Sequence, residues 1–227
     1  MASQQEAGAA NVAPLHPKAE VLSSRAVTML LSQMRDQAAN QRSFVDGADR
    51  LMNILAEEGL ARLAQPCRVT TPCGECDGLV QPDTSKLCIV DIMRSGCILV
   101  EAVRRLAPDC KTAKILIQRD EATALPKLFY SKLPAGVAEL PHVLLCDPML
   151  ATGGSALMAI KALVDAGVQE DRILFLNVVS CPEGLRALAA GAPGVRVLTA
   201  ALDERLNEMK YIVPGLGDFG DRYYGTC

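Results

Sequence analysis

Five short, almost unbroken apolar runs, at residues 87–92, 113–118, 142–146, 173–179 and 196–200, constrain this chain more than any other feature. A strand with one wetted face alternates apolar and polar residues. Runs rich in Val, Ile and Leu without that alternation belong to strands covered on both faces, as in a parallel sheet. Helical stretches fit residues 98–106, 155–166 and 182–190, with Pro182 in a first helical turn, where its missing N–H costs nothing. This rhythm predicts an α/β fold: an open, mostly parallel twisted sheet flanked by helices. Upstream, Val27, Leu30, Leu31 and Met34, then Phe44, Ala48, Leu51, Met52 and Leu55, have the one-face spacing of two amphipathic helices, the second expected to close at Gly59. A β-like patch follows at residues 67–71 and 79–81. The polar, Pro-containing stretch from Arg119 to Pro141 is expected to form an arm or hairpin, with residues 128–131 as strand.

Residues 1–17 are expected to form a mobile, Ala/Gln-rich tail and residues 18–227 a single domain. Lys and Arg number 23 against 26 for Asp and Glu, and no block of five like charges occurs, so a broad cationic surface for nucleic acid is not expected. The longest apolar runs fall far short of the roughly 20 residues that span a bilayer. The start of the chain lacks the basic and apolar regions of a secretory signal and the Arg-rich character of a transit peptide. Nine scattered cysteines then suggest a reducing compartment, the cytoplasm. Cys73 and Cys76 form a lone CxxC with no second ligand pair at finger spacing, so a Gly74-containing turn between two strands is expected there rather than zinc.

Ligands in open α/β folds sit at the carboxyl ends of strands, in the loops that lead into helices. The stretch VLLCDPMLATGGSA at residues 143–156 is such a place. An apolar strand ends at Asp147, and Thr152, Gly153, Gly154 and Ser155 open a helix. Backbone N–H groups freed by two glycines at a helix N-terminus, joined by two hydroxyls, make a nest for a phosphate dianion. Asp147 faces the same pocket in this reading, accepting hydrogen bonds from a sugar diol or holding Mg²⁺ through water. The plainer alternative is a surface turn with Asp147 as a helix cap.

DPMLATGGSA resembles the phosphoribosyl-pyrophosphate (PRPP) loop of type I phosphoribosyltransferases, in the form used by uracil phosphoribosyltransferases. Residues 91–96 (DIMRSG), 119–134 (RDEATALPKLFYSKLP) and 211–226 (YIVPGLGDFGDRYYGT) resemble further family segments, and LSQMRDQ at residues 31–37 resembles the family's N-terminal helix. The resemblance implies PRPP contacts from Asp147, Pro148, Met149, Leu150, Ala151, Thr152, Gly153, Gly154, Ser155, Arg94, Arg119 and Asp218. It also implies a uracil site of Ile212, Gly217, Asp218 and Phe219. Arg94 and Arg119, at the ends of adjacent strands, suit a pyrophosphate, which takes paired charge-assisted bonds, although each alone also fits a surface ion pair.

Gly215, Gly217 and Gly220 satisfy GxGxxG, but a dinucleotide fingerprint needs an acidic residue about 20 positions further on, and only seven residues follow Gly220. These glycines instead let main chain approach a flat ligand closely enough to read a pyrimidine edge. Asp218 is a candidate acceptor for the proton leaving the base, with a turn residue as its plainer reading. Cys97 falls beside the pyrophosphate loop, where a reactive thiol and a small apolar helix residue are both open readings. Departures from the family pattern are a single acidic residue at the head of the PRPP loop, shared by the uracil branch, and Glu57 where Tyr is frequent.

The resemblance implies transfer of phosphoribosyl from PRPP to uracil, giving UMP and pyrophosphate, with Mg²⁺ as cofactor and no direct protein ligand assigned to it. It implies a homodimer or homotetramer and leaves GTP as a candidate effector. The catalytic set is then Asp147, Arg94, Arg119 and Asp218. Rival readings are the same chemistry on orotate or a purine, a nucleotide-sensing RNA-binding regulator, and a relative that binds without turnover.

Overall fold

A computed structural model describes residues 12–119 and 126–226. An edge strand β1 (Ala19–Val21) precedes helices α1 (Arg25–Arg35) and α2 (Gln41–Ala61) and a hairpin of β2 (Gln65–Thr71) and β3 (Gly74–Val80). The body then runs β4 (Leu87–Met93), α3 (Gly96–Leu106), β5 (Lys111–Arg119), β6 (Pro126–Lys132), β7 (His142–Cys146), β8 (Met149–Leu150), α4 (Gly154–Asp165), β9 (Ile173–Ser180), α5 (Pro182–Gly191) and β10 (Arg196–Leu202). A small ribbon of β11 (Arg205–Leu206) and β12 (Ile212–Val213) and a short helix α6 (Phe219–Tyr224) follow. The main sheet is ordered β1-β10-β9-β7-β4-β5-β6, with β8 pairing on β9; every pairing is parallel except β5 with β6.

The unalternating runs do what their composition requires. Leu87, Ile89, Leu144, Cys146, Leu174 and Leu176 pack with α1, α2 and α3 on one face, while Cys88, Val90, Val143, Leu145, Ile173 and Phe175 pack with α4 and α5 on the other. From β4 the chain crosses outward through α3 to β5. From β7 it crosses the opposite way, through α4 to β9. The carboxyl ends of β4 and β7 therefore flank the point where strand order reverses, the place at which an open α/β sheet leaves a crevice.

Three expectations need adjustment. Of the tail expected over residues 1–17, Val12 and His16 are buried on the fold, and residues 1–11 lie outside the described residues. Gly59 does not end α2; it sits inside the helix because a Cβ there would lie 2.9 Å from both methyls of Leu176, so close helix-sheet packing and not a cap explains it. The strand expected at residues 128–131 extends over all of β6, paired along β5. The CxxC lies on the β2–β3 hairpin, with Cys73 at the turn and both thiols exposed.

Candidate active site

The loop after β4 turns tightly into α3 because position 96 has no side chain: a Cβ on Gly96 would lie 2.3 Å from the Cys146 carbonyl oxygen on the neighbouring strand. Beneath that turn Asp91 is fully buried, its Oδ2 3.6 Å from Lys114 Nζ on β5 and neither oxygen accepting a hydrogen bond among the described residues. After β7 the chain passes Asp147 and enters α4 through Gly153, whose φ of 81° is a left-handed conformation that favours glycine. No side chain among the described residues caps this helix. Among the described residues no hydrogen bond outside regular helix or strand pairing takes up the amides of Thr152, Gly153, Gly154 or Ser155. These donors line a small concavity of about 50 Å³ with Asp147, Met149 and Ala151, the cradle geometry for a phosphate at a helix N-terminus.

The same three residues, Asp147, Met149 and Ala151, form one wall of a larger cleft of about 420 Å³. Its other walls come from Ser95 at the head of α3, from residues 209–211, and from Ile212, Gly217, Asp218 and Phe219. The two stretches expected to hold phosphate and base, far apart in sequence, thus line two concavities that share a wall. Pro148 lies beneath the surface, its carbonyl accepting from the Val178 and Val179 amides. Leu150 is buried but contributes to the phosphate concavity.

Arg94 takes up the ion pairing that its sequence reading left open. Its guanidinium lies 2.8 Å from Asp221 Oδ1 and 3.4 Å from Asp218 Oδ1 and donates to Thr226 Oγ1, so it is paired with the C-terminal segment. Asp218 Oδ1 also accepts the Asp221 N–H, capping α6, so the plain turn role and a place in the cleft wall coexist in one residue. The Arg119 backbone ends β5, at the same end of the sheet as Arg94; its side chain lies outside the described residues. Cys97 is half-buried, with Sγ 2.9 Å from the Arg94 carbonyl and 2.8 Å from Tyr224 Oη, and partly packs on the core. Glu57, the family departure, is exposed on α2 and lines neither pocket. Ser95 belongs to the 91–96 segment marked in the sequence, whereas residues 209–210 were not singled out, because nothing in their composition marks the closure of a loop onto a cleft.

Burial pushes the Asp147 carboxyl up to about 7, helped by the nearby Asp91 and opposed by the Met149 amide. Burial likewise raises Asp91 to about 6 against the pull of Lys114. Both groups keep protons in the folded state that the unfolded chain has released above about pH 4. Their contribution to stability therefore falls as pH rises from about 4 to about 7. Asp147→Asn removes one of the two, so its unfolding midpoint should gain on wild type between about pH 5 and about pH 8. Thermal unfolding of both proteins at the two pH values checks this, and a gap that does not widen toward the alkaline side contradicts it.

The uracil phosphoribosyltransferase family model matches residues 21–226. A uracil phosphoribosyltransferase of Dictyostelium discoideum is 44% identical over 198 residues, covering 87% of this chain and 91% of that protein. One from Saccharomyces cerevisiae is 46% identical, covering 86% and 90%, and one from Deinococcus radiodurans is 44% identical, covering 86% and 92%. Among solved structures, the AQ2163 protein of Aquifex aeolicus superposes with a TM-score of 0.75 at 28% identity, covering 91% of this chain and 97% of that one. The adenine phosphoribosyltransferase of Trypanosoma brucei, at 15% identity and a TM-score of 0.53, covers 82% of this chain and 84% of that one and shares the fold.

Proposed function

The chain belongs to the uracil phosphoribosyltransferase family, and on that premise we propose that the cradle at residues 152–155 holds the 5′-phosphate of PRPP while Ile212, Gly217, Asp218 and Phe219 hold the base. The enzyme transfers the 5-phosphoribosyl group from PRPP to uracil, giving UMP and pyrophosphate, a step of pyrimidine salvage. One observation supports the division of labour most: the two concavities share the wall of Asp147, Met149 and Ala151, so a ribose spanning them would lie against the Asp147 carboxylate.

Displacement at a glycosyl carbon passes through an oxocarbenium-like transition state, so the protein need not supply a nucleophile. In this reading Asp147 accepts from the ribose hydroxyls, Arg94 and Arg119 neutralise the departing pyrophosphate, and the base-holding loop aligns uracil on the opposite face of the sugar. Mg²⁺, when bound, supplies further charge neutralisation at the pyrophosphate. Among the described residues no group of three or more His, Cys, Asp or Glu is placed to hold a metal. Also among them, no helix is long and apolar enough to cross a membrane.

Purified protein given PRPP, Mg²⁺ and an equimolar mixture of uracil, orotate and hypoxanthine should form UMP and pyrophosphate. A nucleotide formed from orotate or hypoxanthine in preference to UMP would contradict the assignment. Relatives at 44–46% identity do not favour the rival readings of another base or of an RNA-binding regulator.

A further inference from the structure

The LSQMRDQ segment has no part in the site described so far, yet the structure gives its last residues a definite place. Arg35, at the C-terminal end of α1, forms a two-pronged pair with Asp203 just beyond β10: Nη2 to Oδ1 at 2.6 Å and Nη1 to Oδ2 at 2.8 Å. The same two side chains grip both polar groups of one peptide residue in the C-terminal loop. Arg35 Nη1 donates to the Gly215 carbonyl at 2.8 Å, and Asp203 Oδ2 accepts the Gly215 amide at 2.8 Å. Asp203 is 6% exposed, so water competes little for these bonds.

A second clamp lies one residue on. Arg222 donates to the Leu216 carbonyl at 2.8 Å and to the carbonyls of Met34 and Asp36, with its guanidinium carbon 4.4 Å from the Phe44 ring centre. Phe44 in turn meets Phe219 edge-on at 5.2 Å. Gly215 and Leu216 are thus fixed from both sides immediately before Gly217, Asp218 and Phe219, which line the cleft. A base read largely by main chain is sensitive to where that main chain sits, because a displacement of about 1 Å is enough to spoil hydrogen-bond geometry. A planar guanidinium fork fixes position in a way that a single-point ammonium does not.

We propose that Arg35 and Asp203 are positioning residues for uracil, setting the base-reading loop through Gly215 without touching substrate. This rests on the assignment of residues 212–219 to the base, so the test carries a control for that assignment. Arg35→Gln should raise the KM for uracil about tenfold or more and leave the KM for PRPP within about twofold. Arg35→Lys, which keeps the charge but loses the fork, should fall between Arg35→Gln and wild type. Asp203→Asn preserves side-chain shape and an acceptor for the Gly215 amide, and it serves as the second variant if Arg35→Gln does not fold. Hydrogen exchange supplies a reading independent of turnover: the Gly215 amide, which donates to Asp203, should exchange faster in the Arg35 variants while the amides of α1 residues 29–33 hold. The control is Gly217→Ala, which places a side chain at a φ of 81° in the cleft wall. If Gly217→Ala raises the uracil KM and folded variants at Arg35 and Asp203 do not, the positioning role is overturned and the base site stands. If Gly217→Ala leaves the uracil KM unchanged, the base-site assignment falls and the positioning role with it.

Discussion

Replacing Arg94 by Ala is expected to lower kcat/KM for PRPP about 10²–10³-fold while barely changing the stability of the fold. The two halves of this expectation have separate causes. The Arg94 side chain is 50% exposed and its partners Asp221 and Asp218 are 37% and 48% exposed. Ion pairs this wet contribute about 0–1 kcal/mol, so losing them does little to unfolding. The catalytic half follows from what a pyrophosphate offers in their place: several anionic oxygens spaced to receive both prongs of a guanidinium. In this reading the pyrophosphate competes with the Asp218 and Asp221 carboxylates for the Arg94 guanidinium. Arg94→Lys should recover only part of the loss, because it restores charge without the fork. Steady-state kinetics with varied PRPP, alongside thermal unfolding, measures both halves. Turnover near wild type in the Ala variant would remove Arg94 from the chemistry.

A comparable loss, about 10²–10³-fold in kcat/KM, is expected for Asp147→Asn. This substitution keeps the shape and removes only the charge. The residue is half-buried, and the one hydrogen bond its carboxylate receives among the described residues, from the Met149 amide, is long at 3.4 Å. An under-satisfied acceptor is costly to maintain, and the elevated carboxyl pKa is the physical expression of that cost. Hydroxyl donors from a ribose would satisfy it, and positive charge developing on the sugar would stabilise its ionised form most in the transition state. The same variant should be no less stable than wild type at neutral pH, so activity and stability are expected to part company. A fall in turnover accompanied by an equal fall in folded protein would point to a structural role instead.

Much of this arrangement was legible in local pattern. The apolar runs show the doubly covered sheet because burial on both faces leaves no reason for alternation, and the strand-loop-helix at residues 143–156 carries its own context in fourteen consecutive positions. What escaped reading depends on long-range closure. Arg35 reads as an ordinary basic residue in the last turn of a helix, and nothing local announces a carboxylate 168 positions away. Gly59 reads as a helix end because its reason for being small, Leu176 on another strand, is equally remote. Edge strand β1 is three residues long and adjoins polar sequence, so periodicity had too little to work on. Arg94 reads locally as a candidate ligand for anions, while the carboxylates it pairs with belong to a loop over 120 positions further along.

Co-crystallisation with UMP tests the central claim most directly, since the product contains both the phosphate and the base. The account predicts phosphate oxygens about 3 Å from the amides of residues 152–155, ribose hydroxyls against Asp147, and the uracil edge facing main chain at residues 212–219. Phosphate bound away from the Gly153–Gly154 turn, or a base seated outside the cleft walled by Ile212 and Phe219, would contradict it.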